Sequence, residues 1–201
     1  MRKLIIFDMD DVLYHYDFMA RRENLAKTSG ASIAHISQNW FDAGCENLAE
    51  SGFHKDGNHY LEDFNQKLGT DLDRKTWIDC RKRAMKPIYT SLEIASRLKA
   101  NGHEIAILTN NGALVYEEMP NLSPDAYDIF GKNSYCSWYF GARKPNAKVF
   151  EGAIRHFGFE PSDTYFIDDM LENAKGAQSI GINSIHFTPQ INLKDRLWKL
   201  L

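Results

Sequence analysis

The stretch Leu4-Ile5-Ile6-Phe7 runs without interruption into Asp8-Met9-Asp10-Asp11. A short continuous apolar run bounded by polar residues reads as a buried strand, central in a parallel sheet whose two faces are both covered. The carboxylates then stand where that strand ends. In open α/β sheets, ligands bind in the crevice outside the carboxyl ends of the strands. Asp8 and Asp10 flank one residue: in a strand they share a face, and where the strand breaks into a loop they can converge on one ligand. Two carboxylates packed that closely repel and need a cation or a shared proton. An isolated Asp-x-Asp reads more simply as a solvated acidic turn, so the choice between the two rests on the remainder of the chain.

That remainder falls into two rhythms. Between about residues 16 and 85, Ile33, Ile36, Trp40, Phe41, Cys45 and Leu48 recur at helical spacing, as do Tyr60, Leu61, Phe64 and Leu68, then Trp77, Ile78 and Met85. Gly30, Gly52, Gly57 and Gly69 punctuate this block, which fits three or four helices and no strand. From Pro87 strands and helices alternate. Leu92, Ala95 and Leu98 form one helix face, with Gly102 placed to end it. A strand over 104–108 runs into Thr109-Asn110, and a helix then reaches about Met119-Pro120. A weaker strand spans 133–137, followed by the loop Gly141-Ala142-Arg143-Lys144-Pro145. Ala147, Phe150, Ile154 and Phe157 share a helix face that Gly158 closes. A strand over 164–167 runs into Asp168-Asp169, a helix spans 171–180, and 184–187 is a last core strand. Leu193, Leu197 and Leu200 suggest a C-terminal helix.

The expected fold is therefore α/β: a Rossmann-like, doubly wound parallel sheet with an inserted all-helical cap. The core is expected over residues 1–15 and 86–201, and the cap over 16–85.

With 201 residues, 43% hydrophobic and 12% aromatic, the chain can bury a substantial core. A formal net charge of −3 without a basic run argues against nucleic acid as a partner. No apolar run approaches the ~20 residues of a membrane span, and the N-terminal apolar run is too short for a signal peptide. Cys45, Cys80 and Cys136 are few, odd in number and far apart, which reads as reduced thiols of a cytoplasmic protein. Oligomeric state has no signal in the sequence.

Four polar clusters stand at or just beyond strand ends: Asp8/Asp10, Thr109/Asn110, Arg143-Lys144 and Asp168/Asp169. A parallel sheet puts all its strand C-termini on one edge, so these groups can meet. Their chemistry is complementary. Carboxylates offer hard oxygen ligands to Mg²⁺, a hydroxyl and an amide offer donors to phosphoryl oxygens, and a lysine offers charge to a phosphate or to a carboxylate nucleophile.

In this order the clusters resemble the four motifs of the haloacid dehalogenase (HAD) superfamily. Phe7-Asp8-Met9-Asp10-Asp11-Val12-Leu13 looks like the first, Ile107-Leu108-Thr109-Asn110 the second, the Lys144 loop the third, and Tyr165-Phe166-Ile167-Asp168-Asp169 the fourth. The match covers roughly residues 1–14 and 87–187. The inserted block resembles the helical cap of a subgroup that includes sugar-phosphate phosphatases, phosphomutases, 2-haloacid dehalogenases and the phosphatase domain of soluble epoxide hydrolase.

The resemblance implies a Mg²⁺-dependent phosphatase acting on a small phosphorylated metabolite, such as a sugar phosphate, through an aspartyl-phosphate. Asp8 is then the nucleophile and a metal ligand. Asp10 is the acid and base, with its carbonyl on the metal. Thr109 holds a phosphoryl oxygen, Asn110 orients substrate or nucleophile, and Lys144 offsets charge between Asp8 and phosphate. Counting back from Gly181 puts Asp169 at the family's metal-binding position and leaves Asp168 as a partner of Lys144 or of the metal shell. Asn173, one helical turn on, stands where many members carry Asp. Asp11 is read as facing out or capping the next loop, Tyr14, Tyr16 and Asp17 as hinge residues that either pack or touch substrate, His54 as a surface loop residue, and Arg143 as a local salt-bridge partner. A 2-haloacid dehalogenase, a phosphomutase and a non-catalytic phosphoacceptor or binding protein are the alternatives. The first needs neither metal nor a second Asp.

Overall fold

The computed structural model describes residues 1–197 and 199–200; Trp198 and Leu201, at the end of the expected core, lie outside the described residues. In chain order the elements are β1 (Leu4–Phe7), β2 (Tyr14–Tyr16), α1 (Phe18–Ser29), α2 (Ile33–Ile36), α3 (Cys45–Glu50), α4 (Gly57–Leu68) and α5 (Arg74–Lys82). They continue with β3 (Met85–Pro87), α6 (Tyr89–Ala100), β4 (Glu104–Thr109), α7 (Ala113–Leu122), α8 (Pro124–Phe130) and β5 (Ser134–Cys136). The chain ends with α9 (Ala147–Phe157), β6 (Thr164–Asp168), α10 (Leu171–Gln178), β7 (Asn183–His186) and α11 (Leu193–Arg196).

Five strands form one parallel sheet in the order β5-β4-β1-β6-β7. β1 lies at its centre because both of its faces are apolar. Ile5 and Phe7 point into one core with α6, α7 and α8, while Leu4 and Ile6 point into another with α9 and α10. The chain moves outward from β1 to β4 and β5, then returns to the other side for β6 and β7. This reversal places the topological switch point at the carboxyl end of β1, where Asp8 begins.

Between β1 and β4 the chain leaves the sheet. β2 and β3 pair antiparallel where it departs and returns, and the block from α1 to α5 is helical, with one π-helical turn at Ser37–Phe41. Asp17, Asp56 and Asp73 cap the N-termini of α1, α4 and α5 through their carboxylates. Trp40, Tyr60, Phe64 and Trp77 are buried together, with ring centroids 4.9 to 6.3 Å apart. Burial of four such rings gives this insertion its own core.

Several local expectations need correction. The helix expected to stop at Pro120 runs to Leu122 with Pro120 inside it, forgoing the one backbone hydrogen bond that a residue there would donate to the Tyr116 carbonyl. A second helix, α8, follows at once with Pro124 in its first turn. His54 is not at the surface: it is 1% exposed, ringed by Phe53, His59 and Tyr60, and its Nε2 lies 3.0 Å from Asp63. Arg143 does not pair locally; its Nε donates to Glu50 of α3, 93 residues away, at 2.7 Å. No helix among the described residues is long and apolar enough to cross a membrane.

Candidate active site

Asp8 extends β1 by one residue, its amide still donating to Ile167. Its Oδ1 accepts from the Met9 amide at 2.8 Å and lies 2.8 Å from Lys144 Nζ. The next turn is tight. Asp11 adopts a left-handed φ of 55°, and its carboxylate accepts from the Tyr16 amide. This turn aims Asp10 toward the helical insertion, where its Oδ2 accepts from Arg81 Nη2 at 2.7 Å. Asp10 Oδ1 is buried and has no partner.

Lys144 is 1% exposed. The loop carrying it is held by Asn110, whose amide nitrogen donates to the Lys144 carbonyl while its oxygen accepts from the Lys144 amide. Both ends of the Asn110 amide are thus engaged by the main chain of the lysine, which fixes the loop that carries it. From below, α10 abuts the same loop. A Cβ on Gly176 would lie 2.3 Å from the Pro145 carbonyl oxygen, so only glycine permits this approach. Thr109, at the end of β4, is buried with its hydroxyl accepting from Asn111.

Asp168 ends β6 with no solvent exposure. Its Oδ2 accepts from Lys144 Nζ at 2.6 Å and its Oδ1 from the Met170 amide; Asn173 donates to both oxygens. Asp169 is half-buried beside it. Carboxylate oxygens of Asp8, Asp168 and Asp169 lie within 4.8 Å of one another.

Three carboxylates therefore face one ammonium. Burial alone would push the Lys144 pKa down, but Asp168 and Asp8 outweigh it and hold the lysine charged. Burial pushes Asp8 well above the ordinary carboxylate range against the pull of Lys144, and it moves Asp169 up to about 6, with Asp168 adding to the shift. The site carries more negative charge than its own lysine can balance. All the surplus donors are oxygens, which is the set a hard divalent cation takes. The residues present fit Mg²⁺.

Two contributors were not singled out from the sequence: Arg81 and Arg21. Both are buried guanidiniums in the helical insertion. Arg81 follows Trp77 at i+4 and Arg21 precedes Leu25 at i+4, so each is a charged residue set on an apolar stripe. That placement was the available signal, because such a residue is buried only where a partner waits. Arg81 meets Asp10; Arg21 meets Glu46, which also accepts from Trp40 and Tyr60.

Known proteins resemble this chain in sequence and in fold. A sesquiterpene phosphatase of Aspergillus oryzae is 23% identical over 94% of this chain and 91% of its own length. A HAD-family enzyme of Bacteroides thetaiotaomicron, solved with magnesium and inorganic phosphate, superposes with a TM-score of 0.74 at 19% identity, covering 98% of this chain and 99% of that one. A 2-haloacid dehalogenase of Pseudomonas syringae shares the fold with a TM-score of 0.66 at 20% identity over 96% and 89% of the two chains. The family model for haloacid dehalogenase-like hydrolases matches residues 2–181, so that strand-end carboxylates, lysine loop and helical insertion all fall within one pattern, and the chain belongs to this hydrolase family.

Proposed function

We propose that the chain is a Mg²⁺-dependent phosphatase that hydrolyses a small phosphate monoester through an aspartyl-phosphate on Asp8. The observation that supports this best is the second carboxylate, Asp10. It stands two residues beyond Asp8 with one oxygen fixed by Arg81 and the other buried without a partner. Displacing halide requires no proton from the enzyme for the leaving group; releasing an alkoxide does. The dehalogenase reading leaves Asp10 without a task.

In this reading an Asp8 carboxylate oxygen attacks phosphorus and the ester P–O bond breaks. Protonated Asp10 gives its proton to the departing alkoxide through Oδ1. Asp10 then takes a proton from the water that attacks the phosphoryl group, and Asp8 is regenerated with release of phosphate. Lys144 offsets charge between Asp8 and the incoming phosphate, Asn110 holds the lysine loop, and Thr109 offers its hydroxyl to a phosphoryl oxygen. Asp8, Asp169 and the Asp10 carbonyl would hold Mg²⁺, with Asp168 and Asn173 behind them. When bound, the ion supplies charge neutralisation that lets two anions approach. Residues 16–85 act as the cap over a core of 1–15 and 86–201. The free thiols of Cys45, Cys80 and Cys136 suit a cytoplasmic setting.

The test is hydrolysis of p-nitrophenyl phosphate with Mg²⁺ and after exhaustive chelation, beside chloride release from 2-chloropropionate. Chelator-sensitive phosphate release is expected. Full activity in chelator, or halide release in its place, contradicts the assignment.

A further inference from the structure

Beyond Asp10 the cleft opens into a cavity of about 290 Å³ between the helical insertion and the sheet edge. That volume suits a small ligand, at or just below the usual range for small-molecule sites. Four guanidiniums line it: Arg21, Arg22, Arg81 and Arg143. Three of them are answered by carboxylates already described, namely Glu46, Asp10 and Glu50.

Arg22 is different. Its guanidinium lies over Phe18 at 4.2 Å and over Phe41 at 4.8 Å from the ring centroids. Its Nε is buried without a hydrogen-bond partner, and among the described residues it forms no hydrogen bond or ion pair. The two rings, 5.0 Å apart edge to face, flank the guanidinium and favour one orientation of it. Arg22 is only partly buried: of its nitrogens Nε alone is buried without a partner, and the outer Nη edge is open to the cavity. A fixed planar fork of N–H donors matches the oxygens of a carboxylate or phosphoryl group. Glu46 does not compete for this fork, since Arg21, Trp40 and Tyr60 already occupy its oxygens. Asp42 is exposed on the rim, where solvent and salt screen it.

We propose that Arg22 is the receptor for a second oxyanion on the leaving group. The preferred substrates are then small phosphate monoesters that also carry a carboxylate or a second phosphoryl group. This rests on the phosphatase reading above and adds the substrate class to it.

Non-hydrolysable phosphonates test it by calorimetry on the full chain with Mg²⁺. Propylphosphonate has one anionic end, 3-phosphonopropionate adds a carboxylate, and propane-1,3-bisphosphonate adds a second phosphoryl group. One or both of the two-ended ligands should bind at least about tenfold tighter than propylphosphonate, and the tighter of them identifies the oxyanion. Arg22→Gln should bring that ratio to about one, with propylphosphonate affinity serving as the check that the site is folded. Equal affinities in the wild type, or a preference that survives Arg22→Gln, overturn the proposal while leaving the phosphatase reading standing. If no phosphonate binds and p-nitrophenyl phosphate is not hydrolysed, both fall together.

Discussion

Replacing Lys144 by Met keeps the length of the side chain and removes its charge from between Asp8 and Asp168. The lost contacts are 2.8 and 2.6 Å long, and the carboxylates involved are 9% and 0% exposed. At an effective dielectric near 20, the shorter contact alone corresponds to about 6 kcal/mol of attraction. The desolvation cost of the buried ammonium offsets part of that. Removing one member of such a buried pair costs about 3–5 kcal/mol, because the orphaned carboxylates remain. Asp168→Asn alone should cost about 2–3 kcal/mol, since Lys144 keeps Asp8 as a partner. In the Lys144→Met background the same change removes an unpaired charge and should cost far less. The double-mutant cycle should therefore show a coupling of at least about 2 kcal/mol. Urea denaturation followed by tryptophan fluorescence, in chelator so that only the protein's own groups are counted, reads all four stabilities at constant m-value. A coupling below about 0.5 kcal/mol would show that the lysine is not the counter-charge of this carboxylate cluster.

Two further outcomes follow from the same structure. Burial pushes Glu50 from its ordinary 4.5 up to about 7, more than Arg143 pulls it down. The folded state then holds a proton that the unfolded state releases between those values, so stability falls as pH rises across that window, by at most about 3 kcal/mol. Glu50→Gln should match the wild type near pH 4.5 and exceed it by pH 8 in denaturation midpoints; a difference constant with pH refutes the cause given. Gly176→Ala places a methyl 2.3 Å from the Pro145 carbonyl. It should cost about 1–3 kcal/mol despite the better helix propensity of Ala, and should lower turnover by moving the Lys144 loop; unchanged stability and turnover would mean that α10 does not set that loop.

The sheet was legible because its strands are buried on both faces. Leu4, Ile5, Ile6 and Phe7 are all apolar, and no amphipathic helix would need four such residues in a row. The clusters could be placed on one edge because parallel strands share an edge. What the sequence did not disclose are the contacts between insertion and core. Arg81 and Asp10 are 71 residues apart, and neither a propensity nor a period relates them. His54 sits among loop-forming residues, yet surrounding rings and Asp63 bury it. Asn110 and Lys144 sit in separate motifs, and only folding shows that one amide grips the other's backbone at both ends. The helix α8 was hidden by Pro120 and Pro124, which both read as stops in sequence: Pro124 suits the first turn of α8, and α7 passes through Pro120 at the loss of one backbone hydrogen bond.

In the proposed reaction Asp8 is the nucleophile and Asp10 the proton carrier. Rapid-quench analysis with p-nitrophenyl phosphate and Mg²⁺ tests that division most directly, because nitrophenolate leaves with little need of a proton and hydrolysis of the intermediate still needs a base. Asp10→Asn should accumulate more aspartyl-phosphate than the wild type, and Asp8→Asn should form none. Phosphoenzyme on Asp8→Asn, or wild-type turnover by that variant, would contradict the assignment of the nucleophile.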